Sequence, residues 1–352
     1  MALSGGKSIL TVETVSGPID DSELGITSCH EHLLVDTSAW YMKPKTPIPS
    51  KISDLKDPFT SLDNLKLTDE SLIIQELSEF KKYGGQSIVD LTCTPSLGRN
   101  PIALKRISEA TGVNIILGTG WYLYSTHPPY VKQKTIDELS DIMVKELTEG
   151  IEDTGIKAGV IGELGCGMPN PFHPEEERVL RAGCRTQRRT KVCFTIHPLQ
   201  YDLSLKKWLT IGNTYVDLIE DEGADVEKFF LSHSDETCYN LDYHKSLLER
   251  GVTLSYDTFG AEWGFESLGP GARYPSDAER IEAIVSLCKQ GYDKQLLLSH
   301  DVCFKMYLKK YGGRGYSHIL ENIIPQLENK GVSRKQINQM LIENPKRLLS
   351  KS

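Results

Sequence analysis

A closed (β/α)8 barrel is the architecture that this 352-residue sequence predicts, and three observations point to it. Eight short, apolar or β-branched runs alternate with amphipathic helical stretches along the chain, the pattern of βαβ units and a parallel sheet. The runs are almost continuously apolar, as strands buried on both faces require. Histidines and carboxylates recur at the C-terminal ends of the runs, which in a barrel converge on one mouth. A doubly wound open sheet is the competing arrangement, but no glycine-rich turn follows the first run. Parallel barrels exceed about 250 residues as single domains, so residues 1–352 are read as one barrel domain.

The first run leads from Leu24-Gly25-Ile26-Thr27 into Ser28-Cys29-His30-Glu31-His32. Residues 36–67 form a long polar loop in which Pro44, Pro47, Pro49 and Pro58 forbid a regular helix, so it is a lid or a packed excursion. Thr68-Asp69-Glu70 caps a helix with Leu72, Ile73, Leu77 and Phe80 on one face. Further strands are read at Ser87–Leu91, Val113–Gly118, Ala158–Glu163, Val192–His197, Lys228–His233, Val252–Asp257 and Gln295–Asp301. Helices lie between them around Leu104 and Ile107, from Ile136 to Glu149, and from Pro174 to Arg188-Arg189, where acids open and bases close the helix. Two helical stretches finish the chain.

Hydrophobic content of 39% and charged content of 25% are ordinary for a globular enzyme, and a net charge of -8 argues against a nucleic-acid surface. The eight cysteines include no CxxC pair and read as reduced thiols, which suits the cytosol. Met1 leads into Ser4-Gly5-Gly6-Lys7 with no apolar signal-peptide core, and no run is long enough for a membrane span. The ending Leu349-Ser350-Lys351-Ser352 only approaches a peroxisomal S-K-L. The expected partner is a small-molecule substrate; a homodimer stays open.

His30 and His32, two apart on an extended strand, project to the same side and can reach one cation. Glu163, His197, His233 and Asp301 fall at the ends of strands four, five, six and eight. Singly, each could be a satisfied buried polar group; together at one mouth they match a site for two divalent cations. His300 could point away from the lumen, His318 could orient a site residue or cap a helix, and His127, His173 and His244 are read as surface residues. Trp121 and Tyr122, beyond strand three, are candidates for a pocket wall. Lys305, Lys309, Lys310 and Arg314, after strand eight, could bind an anion or form a solvated basic stretch.

The ordered motifs His30-Glu31-His32, Gly162-Glu163-Leu164-Gly165, Thr195-Ile196-His197-Pro198, Leu231-Ser232-His233-Ser234-Asp235, Tyr256-Asp257-Thr258-Phe259-Gly260 and Ser299-His300-Asp301 resemble the phosphotriesterase family of the amidohydrolase superfamily, most closely its animal members. Tyr311-Gly312-Gly313-Arg314-Gly315-Tyr316 and Ile342-Glu343-Asn344-Pro345 extend the resemblance over nearly the whole chain. It implies two divalent cations, zinc by expectation: His30, His32 and Asp301 on a buried one, His197 and His233 on a more exposed one, and Glu163 bridging where bacterial triesterases carry a carboxylated lysine. Water activated there would attack an acyl carbon, with Asp301 moving the proton to the leaving group. Triesterases carry a histidine, and related lactonases an arginine, in the loop that here reads Asp257-Thr258-Phe259; Thr258 cannot relay a proton at neutral pH and is a candidate substrate contact. The resemblance therefore implies an amidase for small N-acyl compounds, N-acetyltaurine above all, with a lactonase or phosphotriesterase as the alternative.

Overall fold

Eight parallel strands make one sheet in strict chain order: β1 (Thr27–Glu31), β2 (Ser87–Asp90), β3 (Asn114–Thr119), β4 (Val160–Cys166), β5 (Phe194–Pro198), β6 (Phe229–Leu231), β7 (Thr253–Tyr256) and β8 (Leu296–Leu298). The computed structural model describes residues 10–44, 47–167, 172–198, 201–202, 207–264 and 272–351. Ser4–Lys7 and the final Ser352 lie outside the described residues. The sheet closes where Ser299 Oγ accepts hydrogen bonds from the backbone N–H of Cys29 (2.8 Å) and His30 (3.0 Å), and Asp301 N–H donates to His30 O at 3.2 Å. This is the (β/α)8 barrel that the pattern of runs predicts.

Helices follow the strands: α1 (Glu70–Lys82), α2 (Pro101–Thr111), α3 (Ile136–Thr148), α4 (Pro174–Thr190), α5 (Gly212–Asp221), α6 (Leu241–Leu248) and α7 (Asp277–Lys289). Their starts follow local chemistry. Asp69 accepts from Leu72 N–H to open α1, and reciprocal capping boxes, Thr135 with Glu138 and Ser276 with Glu279, open α3 and α7. The expected apolar face of α1, with Leu72, Ile73, Leu77 and Phe80, is buried. No described helix is long and apolar enough to cross a membrane.

The apolar runs serve two cores at once. Ile88, Ile115, Leu117, Phe229, Leu296 and Leu298 pack outward against the helices. The alternate residues Val89, Ile116, Phe230 and Leu297 pack inward, with Val12, Leu24, Leu348 and Leu349 plugging the base of the barrel. A hairpin of Thr11–Thr14 and Gly17–Asp20 pairs with Lys351 there.

Three expectations shift. The first strand begins at Thr27 rather than Leu24, because Gly25 adopts a left-handed φ of +56°. The eighth ends at Leu298, because Ser299 turns its hydroxyl to β1 and Asp301 takes a left-handed φ of +51°. His127 and His244 are not surface residues. His244 is wholly buried where α6 meets β7, with Nδ1 2.8 Å from the Tyr256 hydroxyl, and the His127 ring lies against Tyr122 O at 2.6 Å. His173 is half-buried and caps α4, accepting from Glu175 N–H. All eight cysteines are unpaired.

The 36–67 loop is a packed excursion over its described residues. Val35–Asp36 pairs antiparallel with Lys66–Leu67 to close its stem, and its helical content is limited to short 3-10 turns, as its prolines require. The Asn64 amide oxygen accepts from Met306 N–H at 2.8 Å and Lys305 pairs with Asp63 at 2.6 Å, which fastens the excursion to the segment after β8.

Candidate metal centre

The strand ends bring six side chains from five strands to one point. His30 lies at the end of β1, next to its last residue Glu31, with His32 just beyond it; Glu163 lies in β4 and His197 in β5, while His233 and Asp301 lie in the turns that follow β6 and β8. Glu163 is aimed inward at a shift in pairing register between Ile161 and Leu164. Gly162 makes that possible: its φ is +112°, and a Cβ would stand 2.5 Å from Thr195 O. His233 and Asp301 hold left-handed φ values of +54° and +51°, rare for residues with a side chain. Such strain is tolerated where the surroundings enforce it, and here it falls on two of the six converging residues.

Ligating atoms of His30, His32 and Asp301 lie within 4.8 Å of one another, as do those of His30, Glu163 and His233. His30 Nε2 is 3.4 Å from Glu163 Oε2 and 3.6 Å from Asp301 Oδ1; His32 Nε2 is 3.5 Å from Glu163 Oε1 and 3.3 Å from Asp301 Oδ1. On the other side, His197 Nδ1 is 3.2 Å from Glu163 Oε2 and 2.8 Å from His233 Nε2. The two carboxylate oxygens of Glu163 thus lie among all four imidazoles. The set fits a divalent cation, because His30 Nε2 is fully buried and has no hydrogen-bond partner, an uncommon state for a polar atom inside a protein. Two carboxylates and neutral imidazoles are also the donors that a zinc-like cation takes.

A second ring of groups fixes which nitrogen faces the centre. His30 Nδ1–H donates to Asp257 Oδ2 at 2.8 Å and His233 Nδ1–H to Asp257 Oδ1 at 2.9 Å, while His32 Nδ1 meets the Thr92 hydroxyl at 2.9 Å. His197 is the reverse: its Nε2 is 2.7 Å from the Tyr122 hydroxyl, leaving Nδ1 for the centre. Glu31, between the two histidines, turns away and accepts from His300 N–H, His300 Nδ1–H and Val302 N–H, holding the loop that carries Asp301. His300 does point away from the lumen. Of these partners, Tyr122 was singled out from the sequence only as a pocket-wall candidate; Asp257, Thr92 and Glu31 were not given a role, although Asp257 and Glu31 lie inside the motifs quoted above.

The electrostatics favour positive charge at the centre. Burial opposes a charge on His30 and His233, yet Asp257 and Glu163 push both imidazoles well above their ordinary range. His32 rises to about 9 against burial, through Asp301 and Glu163. Glu163 is desolvated but held well below the carboxylate range by the facing histidines.

A cavity of about 340 Å³ opens above the centre, with His32, Glu163, His197 and Asp301 in its floor. Tyr122 is in its wall. Trp121, Thr258 and Arg314 line no part of it. The Trp121 indole is buried and donates to the Tyr130 hydroxyl at 3.1 Å. The Thr258 hydroxyl donates to Asp235 at 2.5 Å and accepts from Arg280 at 2.6 Å, and Arg314 is exposed elsewhere. The basic residues after β8 supply no anion subsite either: Lys305 is held by Asp63 and Lys309 by Glu321, and neither lysine nor Lys310 lines the cavity. His318 is held by Asp277 at 2.7 Å.

A model of the phosphotriesterase family matches residues 10–349. The chain belongs to that family. A phosphotriesterase-related protein of Nematostella vectensis is 38% identical over 96% of this chain and 98% of its own. An N-acetyltaurine hydrolase of Mus musculus is 35% identical over 96% and 97%. Among solved structures, a resiniferatoxin-binding protein from Rhodobacter sphaeroides superposes with a TM-score of 0.90 at 35% identity, covering 96% of this chain and 94% of that one. The motif order that resembles the phosphotriesterase family therefore belongs to a member of it.

Proposed function

We propose that this phosphotriesterase-family protein is a two-cation hydrolase of N-acyl amides. The observation that carries the reading is the buried, unpartnered His30 Nε2 facing two carboxylates at the floor of the cavity. His30, His32 and Asp301 would hold one cation, His197 and His233 the other, with Glu163 shared between them. When bound, the cations supply the Lewis acidity that activates water and polarises an acyl oxygen. Zinc suits the donor set.

The rest is work for the chain's own residues. Asp257, Thr92 and Tyr122 hold the imidazole orientations. Asp301 takes the proton of the attacking water and passes it to the amine as a C–O bond forms and the C–N bond breaks. Apolar residues such as Val35, Trp40, Phe59 and Phe304 line the cavity above the centre. Amide cleavage is supported by relatives named N-acetyltaurine hydrolase. Thr258, spent between Asp235 and Arg280, offers no relay of the triesterase kind. Hydrolysis of lactones or triesters at the same centre is the second reading, favoured by the apolar cavity.

The test is amine release from N-acetyltaurine and other N-acyl amines by metal-stripped and zinc-reloaded protein. The expected result is activity that follows metal content and falls by roughly 10²–10⁴-fold in Asp301→Asn. Full activity in stripped protein, or cleavage of lactones and triesters alone, overturns the amidase reading.

A further inference from the structure

We infer that the cavity selects a neutral N-acyl amide carrying a bulky apolar or aromatic group, and disfavours a short sulfonate such as N-acetyltaurine. The inference rests on the amidase reading and narrows its substrate class. Away from the centre, the described walls are built largely of rings: Trp40 and Phe59 from the 36–67 excursion, Tyr201 and Trp208 beyond β5, Tyr274 ahead of α7, and Phe304 beyond β8. Among the described lining residues there is no lysine or arginine. The acidic residue among the described lining residues away from the centre is Glu236, which is 5% exposed. It brings no positive charge to the wall.

The adjoining groove does not supply the missing charge. It shares Trp208 and Glu236 with the cavity and holds Arg273, but both terminal nitrogens of Arg273 are taken by Glu279 at 2.8 and 2.9 Å. A sulfonate seated against the rings would meet no lysine or arginine among the described lining residues, whereas a phenyl or branched alkyl group gains by leaving water. Size agrees. A space of about 340 Å³ is a pocket of the drug-sized class, well beyond what an acetyl group and a two-carbon sulfonate fill.

The matched pair for the test is N-acetyltaurine and N-acetyl-2-phenylethylamine, which differ only in sulfonate against phenyl. It is run on zinc-loaded full-length protein beside the corresponding esters, 2-sulfoethyl acetate and 2-phenylethyl acetate. The expected result is a kcat/KM at least about tenfold higher for the phenyl member of each cleaved pair. Met42, 38% exposed at the cavity rim, is changed to lysine in a second arm. M42K should narrow the preference severalfold by offering the sulfonate a partner. Calorimetric binding of the uncleaved member reads the same preference without turnover. A sulfonate that is cleaved or bound as well as the phenyl analogue overturns the inference, as does failure of both to bind. Cleavage of the esters alone, with phenyl still preferred, overturns the amidase reading and leaves the cavity preference standing.

Discussion

Asp257 accepts a hydrogen bond from His30 Nδ1–H at 2.8 Å through one oxygen and from His233 Nδ1–H at 2.9 Å through the other. One buried carboxylate on the loop after β7 thus sets the tautomer of histidines on β1 and after β6, leaving both Nε2 lone pairs directed at the centre. Burial opposes its ionisation, but the two imidazoles hold it far below the carboxylate range. Asp257→Asn should weaken zinc binding by roughly 10–100-fold while the fold persists. Competition with a chromophoric chelator measures the affinity and circular dichroism the fold. Unchanged affinity would mean that another group sets these tautomers.

Tyr122→Phe keeps the ring in the cavity wall and removes only the hydroxyl 2.7 Å from His197 Nε2. The half of the centre formed by His197 and His233 should lose its cation first, by about tenfold in affinity. Metal analysis during graded dialysis should then show one equivalent retained and one lost. Loss of both together contradicts this assignment.

Cations and protons compete for the same nitrogens. The His32 imidazole stands at about 9 without a cation, and His30 and His233 are raised too. Zinc uptake near neutral pH should therefore release protons, and affinity should fall as pH is lowered, by about tenfold per pH unit for each proton displaced. A pH indicator in weak buffer reads the release directly. Proton-neutral binding would refute the competition.

His244 predicts an acid limb in stability. Burial lowers its pKa from 6.5 to about 4. Between those values the unfolded chain binds a proton that the folded one refuses, so the contribution is complete above pH 6.5 and is lost as pH falls towards 4. The shift corresponds to about 3 kcal/mol. Urea unfolding from pH 7 to 4 should show the slope, and His244→Gln should flatten it.

Arg280 is wholly buried, with Nε 2.6 Å from Asp235 and Nη1 2.9 Å from Asp277. Arg280→Met leaves two carboxylates without their cation and should cost about 3–5 kcal/mol. Denaturant unfolding checks it. A loss under about 1 kcal/mol would show that the pair contributes little.

Much of this architecture was legible from local chemistry. The β2, β3 and β8 runs could be read as two-faced strands because Val89, Ile116 and Leu297 are as apolar as the Ile88, Ile115 and Leu296 beside them. Caps such as Asp69 mark helix starts because a side-chain oxygen replaces a bond the first turn cannot make. The six converging residues were legible because strand ends share one mouth. His244 was misread because no local rule announces that a polar ring will find Tyr256 and Thr237 inside the fold.

The sequence by itself determined the barrel, the order of its strands and the residue types that face its mouth, since these follow from periodicity and from chirality acting along the chain. Only the tertiary structure decided which groups hold those residues and which line the cavity. Asp257 reaches His30 across 227 positions and Phe59 meets Phe304 across the rim, contacts that no short-range pattern encodes. Thr258 and Arg314 lie within two quoted motifs yet do not line the cavity, because the direction of a side chain at a loop is set by what packs around it rather than by its neighbours in the chain.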